Sequence, residues 1–233
     1  YEYIPVISLN FSGMEKDANP GFQLTGRMII QIAYGALLGD LIMQIYNQCR
    51  PYIVQKGAAD KVVDELIEKI TDDFDKSRII RYKQVRALMN LIVKRFAELE
   101  MKDFGSKPKV GIVGEIYVKF SPLGNNNLEK FLLGEGTEPV LPGLIDFCMY
   151  WILNHIYDYQ LYGRGAKAVL VMKYLYRFLC NKQKDIIQII RRDGHFREPM
   201  PFDKVRKLAL EVINPGVKMG EGWLLPGEMV ELI

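Results

Sequence analysis

The stretch "KPKVGIVGEIYVKFSPLGNNNLEKFLLGEG", Lys107 to Gly136, decides the fold because the hydrophobic period changes within it. Lys109 to Val113 is short, apolar and β-branched, with Gly114 directly after it, which predicts a central parallel strand. The Asn-rich segment that follows offers a helix cap, and Gly134 and Gly136 are stop signals. A strand followed by a short helix is therefore predicted.

A second short strand in "TEPVLPGLIDF" would complete a strand–helix–strand unit of the size that suits one right-handed crossover. The chain before this unit is predicted to be mostly helical, with "IPVISLN" as an N-terminal strand, and helical periodicity returns after it. We therefore expect a helix-rich α/β fold with a parallel sheet, divided into a mostly helical segment at 1–106 and an α/β segment at 107–233.

Composition and charge exclude several classes of protein. The chain has 233 residues, 49% hydrophobic, with a formal net charge of +3. Its charges alternate in sign without a basic block, which argues against nucleic acid as a partner. The most apolar run, Met28 to Tyr46, contains Gln31, Asp40 and Gln44, so a buried helix is preferred over a membrane span. We expect a cytoplasmic protein with no membrane partner.

Both ends of the sequence suggest a piece of a larger protein. It opens without Met on "YEYIPVISLNFSG", a strand that runs into a loop, and closes on "EGWLLPGEMVELI", an unfinished helix. We therefore expect the chain to be an excised region whose terminal elements pair with other parts of the same polypeptide.

Ligands of open α/β sheets bind outside the carboxyl ends of the strands, where loops and helix N-termini converge. Gly114 would allow close approach of the backbone, Glu115 would supply a carboxylate, and Glu221 from "GEGW" would approach the same edge if the strands are adjacent. The predicted ligand-binding residues are Gly114, Glu115, Tyr117, Ser121, Asn125, Asn126, Asn127 and Glu221. The alternative is a turn with a helix cap that binds nothing, because Asn-rich segments have this structural role as well.

The other candidate groups have simpler explanations. "GIVGE" lacks the G-x-G-x-x-G spacing of a dinucleotide site. His155 and His195 belong to no metal-ligand spacing, and Cys49, Cys148 and Cys180 form no C-x-x-C pair, so no metal site is predicted. The aromatic residues between Tyr150 and Tyr176 are explained by core or interface packing.

The quoted stretch, followed by "VLPGLIDF" and later by "GEGWLLPGEMVELI", resembles the 2-hydroxyacyl-CoA dehydratase family. More narrowly, it resembles the dehydratase-like half of the large activators of (R)-2-hydroxyglutaryl-CoA dehydratase, the CoA-substrate-specific activases. "IPVISLNFSGMEKDANPGFQLT" and "RPYIVQKG" at Arg50 to Gly57 resemble the same family. The most specific stretch is Gly111 to Asn127.

The resemblance implies a flavodoxin-like or Rossmann-like arrangement and a role in anaerobic metabolism. Dehydratase subunits of this kind hold an iron–sulfur cluster through cysteines, and a partner ATPase delivers the electron that starts radical dehydration of a 2-hydroxyacyl-CoA. The family's ligands stand in Cys-Pro or Gly-Cys-x-Pro contexts, which this chain lacks. A four-iron four-sulfur cluster is thus expected only in the full-length protein, with its ligands outside this chain.

Two functional hypotheses follow. The chain is either a dehydratase-like module whose 114–127 loop faces a cluster or acyl-CoA site completed by flanking segments, or a non-catalytic scaffold that docks the ATPase activator region. The implied partners are the remaining domains of the same polypeptide, that ATPase region and an acyl-CoA. An independent nucleotide-binding enzyme is disfavoured because no phosphate-binding motif is present.

Overall fold

The computed structural model describes residues 25–77 and 79–233. The N-terminal strand predicted in "IPVISLN" lies outside these residues. Within the described ranges the protein is helix-rich and contains two short strands. The helices are α1 Gly26–Cys49, α2 Ala58–Lys76, α3 Tyr82–Ala97, α4 Ile116–Phe120, α5 Leu128–Gly134, α6 Leu144–Tyr162, α7 Ala166–Asp193, α8 Phe202–Val212 and α9 Leu224–Leu232. The strands are β1 Lys109–Gly111 and β2 Glu138–Val140, and 3-10 turns occupy Arg50–Tyr52 and Met219–Glu221.

The helix boundaries follow local sequence signals. Thr25 caps α1 by accepting a hydrogen bond from the Met28 backbone N–H at 3.2 Å. The segment "YGRGAK" separates α6 from α7, and Gly163 and Gly165 both have the positive φ that glycine adopts without steric cost. Local sequence signals therefore set these helix boundaries.

One apolar core joins the long helices. α1 packs on α3, and α6 packs on α7, so that the apolar sides of all four helices share a cluster of buried side chains. Leu38, Leu41 and Ile45 on α1 are fully buried in this cluster, together with Phe96 from α3 and Met149 from α6. Burial of each such side chain contributes about 1.5–3 kcal/mol. The core is continuous across the predicted boundary at residue 106.

The first helix has an unusual composition. The segment Gly26–Tyr52 contains a window with mean hydropathy 1.6, long and apolar enough to cross a membrane by length and composition alone. In the fold, α1 contacts α2, α3, α6 and β2, and Asp40 lies buried in its middle. These contacts are compatible with a soluble protein.

β1 and β2 pair in parallel, with Lys109 opposite Glu138 and Gly111 opposite Val140. α4 and α5 lie between them in the chain, so the predicted strand–helix–strand unit and the mixed α/β class are confirmed. The prediction of a central strand at Lys109 to Val113 is wrong in length and burial. Among the described residues β1 pairs only with β2, and the residues at both ends of the strand are exposed.

Candidate functional site

The loop after β1 holds most of the predicted ligand-binding residues, and α4 begins within it. Glu115 stands just before α4, and the side chains of Glu115 and Tyr117 are exposed. A Cβ atom at Gly114 would make only an ordinary contact with Val118, at 3.6 Å. The protein's own packing therefore leaves space at this glycine.

Glu221 comes to the same place from a distant part of the chain. Its Oε1 accepts a hydrogen bond from the Ile116 backbone N–H at 2.5 Å, while its Oε2 has no partner among the described residues. Glu115 lies close by, because its Oε1 is 2.7 Å from where a Cβ of Gly220 would stand. The structure thus brings the two predicted carboxylates together at the start of α4. Glu221 adopts a φ of 60°, a strained value for a residue with a side chain.

The three consecutive asparagines have different structural roles. Asn125 Oδ1 accepts from the Leu128 backbone N–H at 3.2 Å, which caps α5. Asn126 and Asn127 have φ values of 53° and 56°, a left-handed conformation that asparagine tolerates better than most residues. Ser121 Oγ closes the same loop by accepting from the Gly124 N–H at 3.2 Å. The turn-and-cap interpretation therefore accounts for much of this segment.

An open cavity of about 190 Å³ lies beside this segment, and we call it the Asn-loop cavity. It is lined by Arg50, Phe120, Pro122, Asn125, Asn127, Glu129 and Lys130. Arg50 and Lys130 are cationic, and the only counter-charge among the described lining residues is Glu129, 3.6 Å from the Arg50 guanidinium. The lining therefore favours an anionic group. Gly114, Glu115, Tyr117, Ser121, Asn126 and Glu221 do not line it.

A second cavity, of about 200 Å³, opens at the carboxyl end of β2, and we call it the β2-end pocket. Its apolar walls come from the segment 139–142, which comprises the end of β2 and the two residues after it, and from Pro199, Met200 and Leu232. Its polar lining comes from Gln44, Asn47, Gln48, Asp146, Arg197, Glu198 and Glu231. Sequence reasoning placed ligands at the carboxyl end of β1 and missed this pocket. The same rule applied to the second strand would have found it.

Two carboxyl groups of the β2-end pocket have strongly perturbed acidity. Burial raises the pKa of Asp146 well above its ordinary value, and the nearby Glu231 and Asp40 raise it further. Burial also raises the pKa of Glu231 to about 7, with Glu228 adding to the effect. Carboxyl groups that share a poorly solvated site disfavour each other's ionisation. Burial and mutual repulsion therefore both favour the protonated form of these two carboxyl groups.

Beneath the pocket lie charged groups that sequence reasoning also missed. Lys119 on α4 pairs with Glu228 on α9 at 2.7 Å, and both side chains are only 1% exposed. Asp40 on α1 accepts hydrogen bonds from the backbone N–H groups of Leu144 and Ile145 at 2.8 and 2.7 Å, which caps α6 from another helix. Each partner is about a hundred residues away, so local pattern gave no signal.

The cysteines are in environments that suppress thiolate formation. Burial raises the pKa of Cys49 to about 12 and that of Cys148 to about 11, and it also raises the pKa of Cys180. Metal ligation requires the thiolate. Within residues 25–77 and 79–233 there is no group of three or more His, Cys, Asp and Glu side chains suited to a metal ion.

The aromatic residues of α6 and α7 divide into two groups. Tyr150 and Tyr157 are buried against Trp223, whose indole N–H donates to Asn154 Oδ1 at 2.8 Å. Others are exposed, namely Trp151, Tyr159, Tyr162 and Tyr174. The first group stabilises the core, whereas the second leaves an apolar surface on both helices.

Comparison of the chain with protein-family models, with curated proteins and with solved structures finds no match. A function is therefore inferred from the two cavities and from the residues that line them.

Proposed function

We propose that this chain is a dehydratase-like module of a 2-hydroxyacyl-CoA dehydratase activator, and that its Asn-loop cavity binds a phosphate group of an acyl-CoA. The observation that carries the proposal is the meeting of Asn125 and Asn127 with Arg50 and Lys130 around one open cavity. Arg50 opens the "RPYIVQKG" segment and the asparagines belong to the "GNNN" segment. Both segments carry the family resemblance.

The chemistry of the lining suits this ligand. Guanidinium and ammonium groups form charge-assisted hydrogen bonds with phosphate oxygens, and an asparagine amide adds a neutral donor. The Arg50 guanidinium also lies 5.0 Å from the centre of the Tyr46 ring, which restricts its orientation. A cavity of about 190 Å³ accommodates one phosphate group, with the rest of the coenzyme lying across the exposed loop.

The described residues do not fit the family's iron–sulfur cluster. Three separate thiols with raised pKa values are poor ligands, and the cluster requires four ligands, usually cysteine thiolates. In the proposed arrangement the cluster ligands come from other segments of the polypeptide, and an ATPase region of the same polypeptide supplies the electron. The carboxylates of Glu115 and Glu221 would border that site.

We also propose that the two strands belong to a flavodoxin-like sheet and that the protein is cytoplasmic. The parallel pairing of β1 with β2 and the helices between them support it, because each is a feature of that architecture. Further strands of the same polypeptide would complete the sheet beside β1.

Binding of CoA by the full chain tests the proposal. Calorimetry is expected to show binding of CoA but not of pantetheine, which lacks the phosphates. Loss of a charge-assisted contact in Arg50→Met should weaken CoA binding about tenfold. Glu129→Gln should strengthen it, because the competing carboxylate is removed.

Lys83→Met is the matched control, since Lys83 is exposed on α3 and does not line the cavity. Equal binding of CoA and pantetheine, or an equal loss in Lys83→Met and Arg50→Met, would contradict the assignment. Iron and sulfide analysis of the anaerobically purified longer protein tests the cluster separately. A longer protein without iron would remove the dehydratase mechanism even if CoA binds.

The alternative is a non-catalytic module that docks the ATPase activator region, and one observation favours it. Leu170 and Tyr174 on α7 are 79% and 70% exposed and lie one helical turn apart. If this surface docks the ATPase region, replacing both residues with serine should abolish association, whereas Lys184→Ser on the same helix should not. Association that survives the double replacement would eliminate this surface as the docking site.

A further inference from the structure

We propose that the β2-end pocket is a binding site for a small aliphatic ammonium compound, whose cationic head contacts Asn47, Asp146 and Glu231 and whose alkyl chain lies against the apolar wall. The pocket takes a ligand opposite in charge to the one proposed for the Asn-loop cavity. The inference is independent of the proposed function.

Asn47 is the first sign of a ligand. Its side chain lines the pocket and the residue is only 4% exposed, yet neither its amide nitrogen nor its amide oxygen has a hydrogen-bond partner among the described residues. An unpaired buried amide costs about 1–3 kcal/mol, so native proteins rarely leave one without a partner. A ligand head group in the pocket would supply the missing hydrogen bond.

The charges around the pocket indicate a cation. The nearby cations are already paired, because Arg197 lies 2.8 Å from Glu138 Oε1 and Lys119 lies 2.7 Å from Glu228. Three further carboxyl groups have no cationic partner within the described residues, namely Asp40 on α1, Asp146 on α6 and Glu231 on α9. A cation bound between them would relieve their mutual repulsion, whereas an anion would increase it.

The shape and the apolar wall narrow the class of cation. Pro139, Leu141, Pro142, Met200 and Leu232 offer a hydrophobic surface next to the polar groups. A volume of about 200 Å³ has room for a small head group and a short alkyl chain. A bare metal ion would leave this surface uncovered, and no suitable group of metal ligands exists in the described ranges.

An isosteric series tests the charge requirement. Pentylamine, pentanol and pentanoate have similar length and differ in the charge of the head group. Calorimetry with the full chain at about pH 8 should show binding of pentylamine at least about tenfold tighter than that of pentanol, and none of pentanoate. Equal affinity for pentylamine and pentanol, or no binding of pentylamine, would overturn the proposal.

Variants of the lining carboxyls test whether pentylamine binds in the β2-end pocket. Asp146→Asn and Glu231→Gln remove one carboxyl each, and either should weaken pentylamine binding at least about tenfold. Two variants are used so that poor folding of one does not decide the test. Glu211→Gln is the control, because Glu211 is exposed on α8 and does not line the pocket. An equal loss in the control would overturn the assignment.

Proton release provides a second readout. The ammonium remains charged below about pH 9, so any dependence on pH comes from the protein. The charged groups near the two carboxyls are Asp40, Lys119 and Glu228, and Arg197 and Glu198 line the same pocket. Because burial favours the protonated form of both carboxyls and raises the pKa of Glu231 to about 7, pentylamine binding should strengthen from about pH 6 to about pH 8 and release protons to the buffer. Binding that is independent of pH would contradict the proposed contact.

Discussion

The helical core and the polar junction are stabilised in different ways. The core is the apolar cluster of α1, α3, α6 and α7, where many side chains share the contacts. The polar junction consists of Asp40 on α1, Lys119 on α4, Glu221 in the 3-10 turn before α9, and Glu228 on α9. Each of these four side chains is at most 9% exposed, and each has one or two specific partners. The core therefore tolerates small changes, whereas the junction depends on single contacts.

The largest effect is expected at the buried ion pair. Lys119→Met leaves Glu228 buried without its cation, which should lower the free energy of unfolding by about 3–5 kcal/mol. Urea denaturation at about pH 7 measures the loss. Lys130→Met is the control, because Lys130 is exposed, and it should change stability by less than about 0.5 kcal/mol.

The double replacement Lys119→Met with Glu228→Leu shows whether the stability lost in Lys119→Met comes from the unpaired charge of Glu228 or from altered packing. Buried ion pairs can often be replaced by apolar groups of similar volume with little net cost. The double variant should therefore recover most of the stability lost in Lys119→Met. If it is as unstable as the single variant, packing rather than unpaired charge explains the loss.

In the core, Leu41→Ala should cost about 3 kcal/mol, since Leu41 is fully buried and its removal leaves a cavity on α1. Leu123→Ala, at an 86% exposed position, is the control and should be nearly neutral. Both are measured by urea denaturation. The loss in Leu41→Ala should be nearly independent of pH, in contrast to losses at the junction, and a strong dependence on pH would blur the distinction between the two regions.

The difference between the helical core and the polar junction also explains which features the sequence predicts and which it misses. The mostly helical character of the chain was predicted correctly because apolar periodicity is a local signal. The Lys119–Glu228 pair was missed because it joins residues 109 positions apart and neither stands in a marked pattern. The sequence predicted that Glu221 lies near Glu115 only if the strands are adjacent. The distance between these residues depends on how the chain folds back towards α4 after α8.

The pH dependence of stability comes from the junction and the adjoining pocket. Burial raises the pKa of Asp40 from 3.8 to about 6 and that of Glu231 from 4.5 to about 7. The folded chain then binds more protons than the unfolded chain between about pH 4 and 7, so the free energy of unfolding should fall as pH rises through this window. Asp40 alone contributes a loss of about 2 kcal/mol between about pH 4.5 and 7.5.

Urea midpoints across this range measure the slope, and Asp40→Asn should flatten it. Leu41→Ala lies in the core and should shift the whole curve without changing its slope. Stability that rises between about pH 4.5 and 7 would show that Asp40 and Glu231 are not held in the protonated form by the fold.

Variants of Asp40 also test its role as the cap of α6, which it provides from α1. Asp40→Ala leaves the N–H groups of Leu144 and Ile145 without their acceptor and should cost about 1.5 kcal/mol, in the range of helix caps. Asp40→Asn retains one acceptor oxygen and should cost less. Asp64→Ala, an exposed position on α2, is the control for loss of a carboxylate. Equal costs for the alanine variants would mean that the two hydrogen bonds contribute nothing measurable.

The smallest effect is expected in the Asn-rich loop, which lies outside both regions. Sequence reasoning left open whether these asparagines bind a ligand or cap a helix, and pattern alone did not show which one caps α5. Asn127 precedes α5 directly, but its backbone is left-handed and its side chain makes no capping bond, whereas Asn125 reaches the Leu128 N–H. Asn125→Ala should therefore cost about 0.5–1 kcal/mol in urea denaturation.

Asn125→Asp keeps the acceptor oxygen and should retain most of that stability, while its added negative charge should weaken CoA binding in the Asn-loop cavity. The pair of variants thus separates the two roles of one side chain. Asn125→Ala reports on the cap through stability, and Asn125→Asp reports on the anion site through affinity. If Asn125→Asp binds CoA as well as the unmodified chain does, Asn125 has only the structural role.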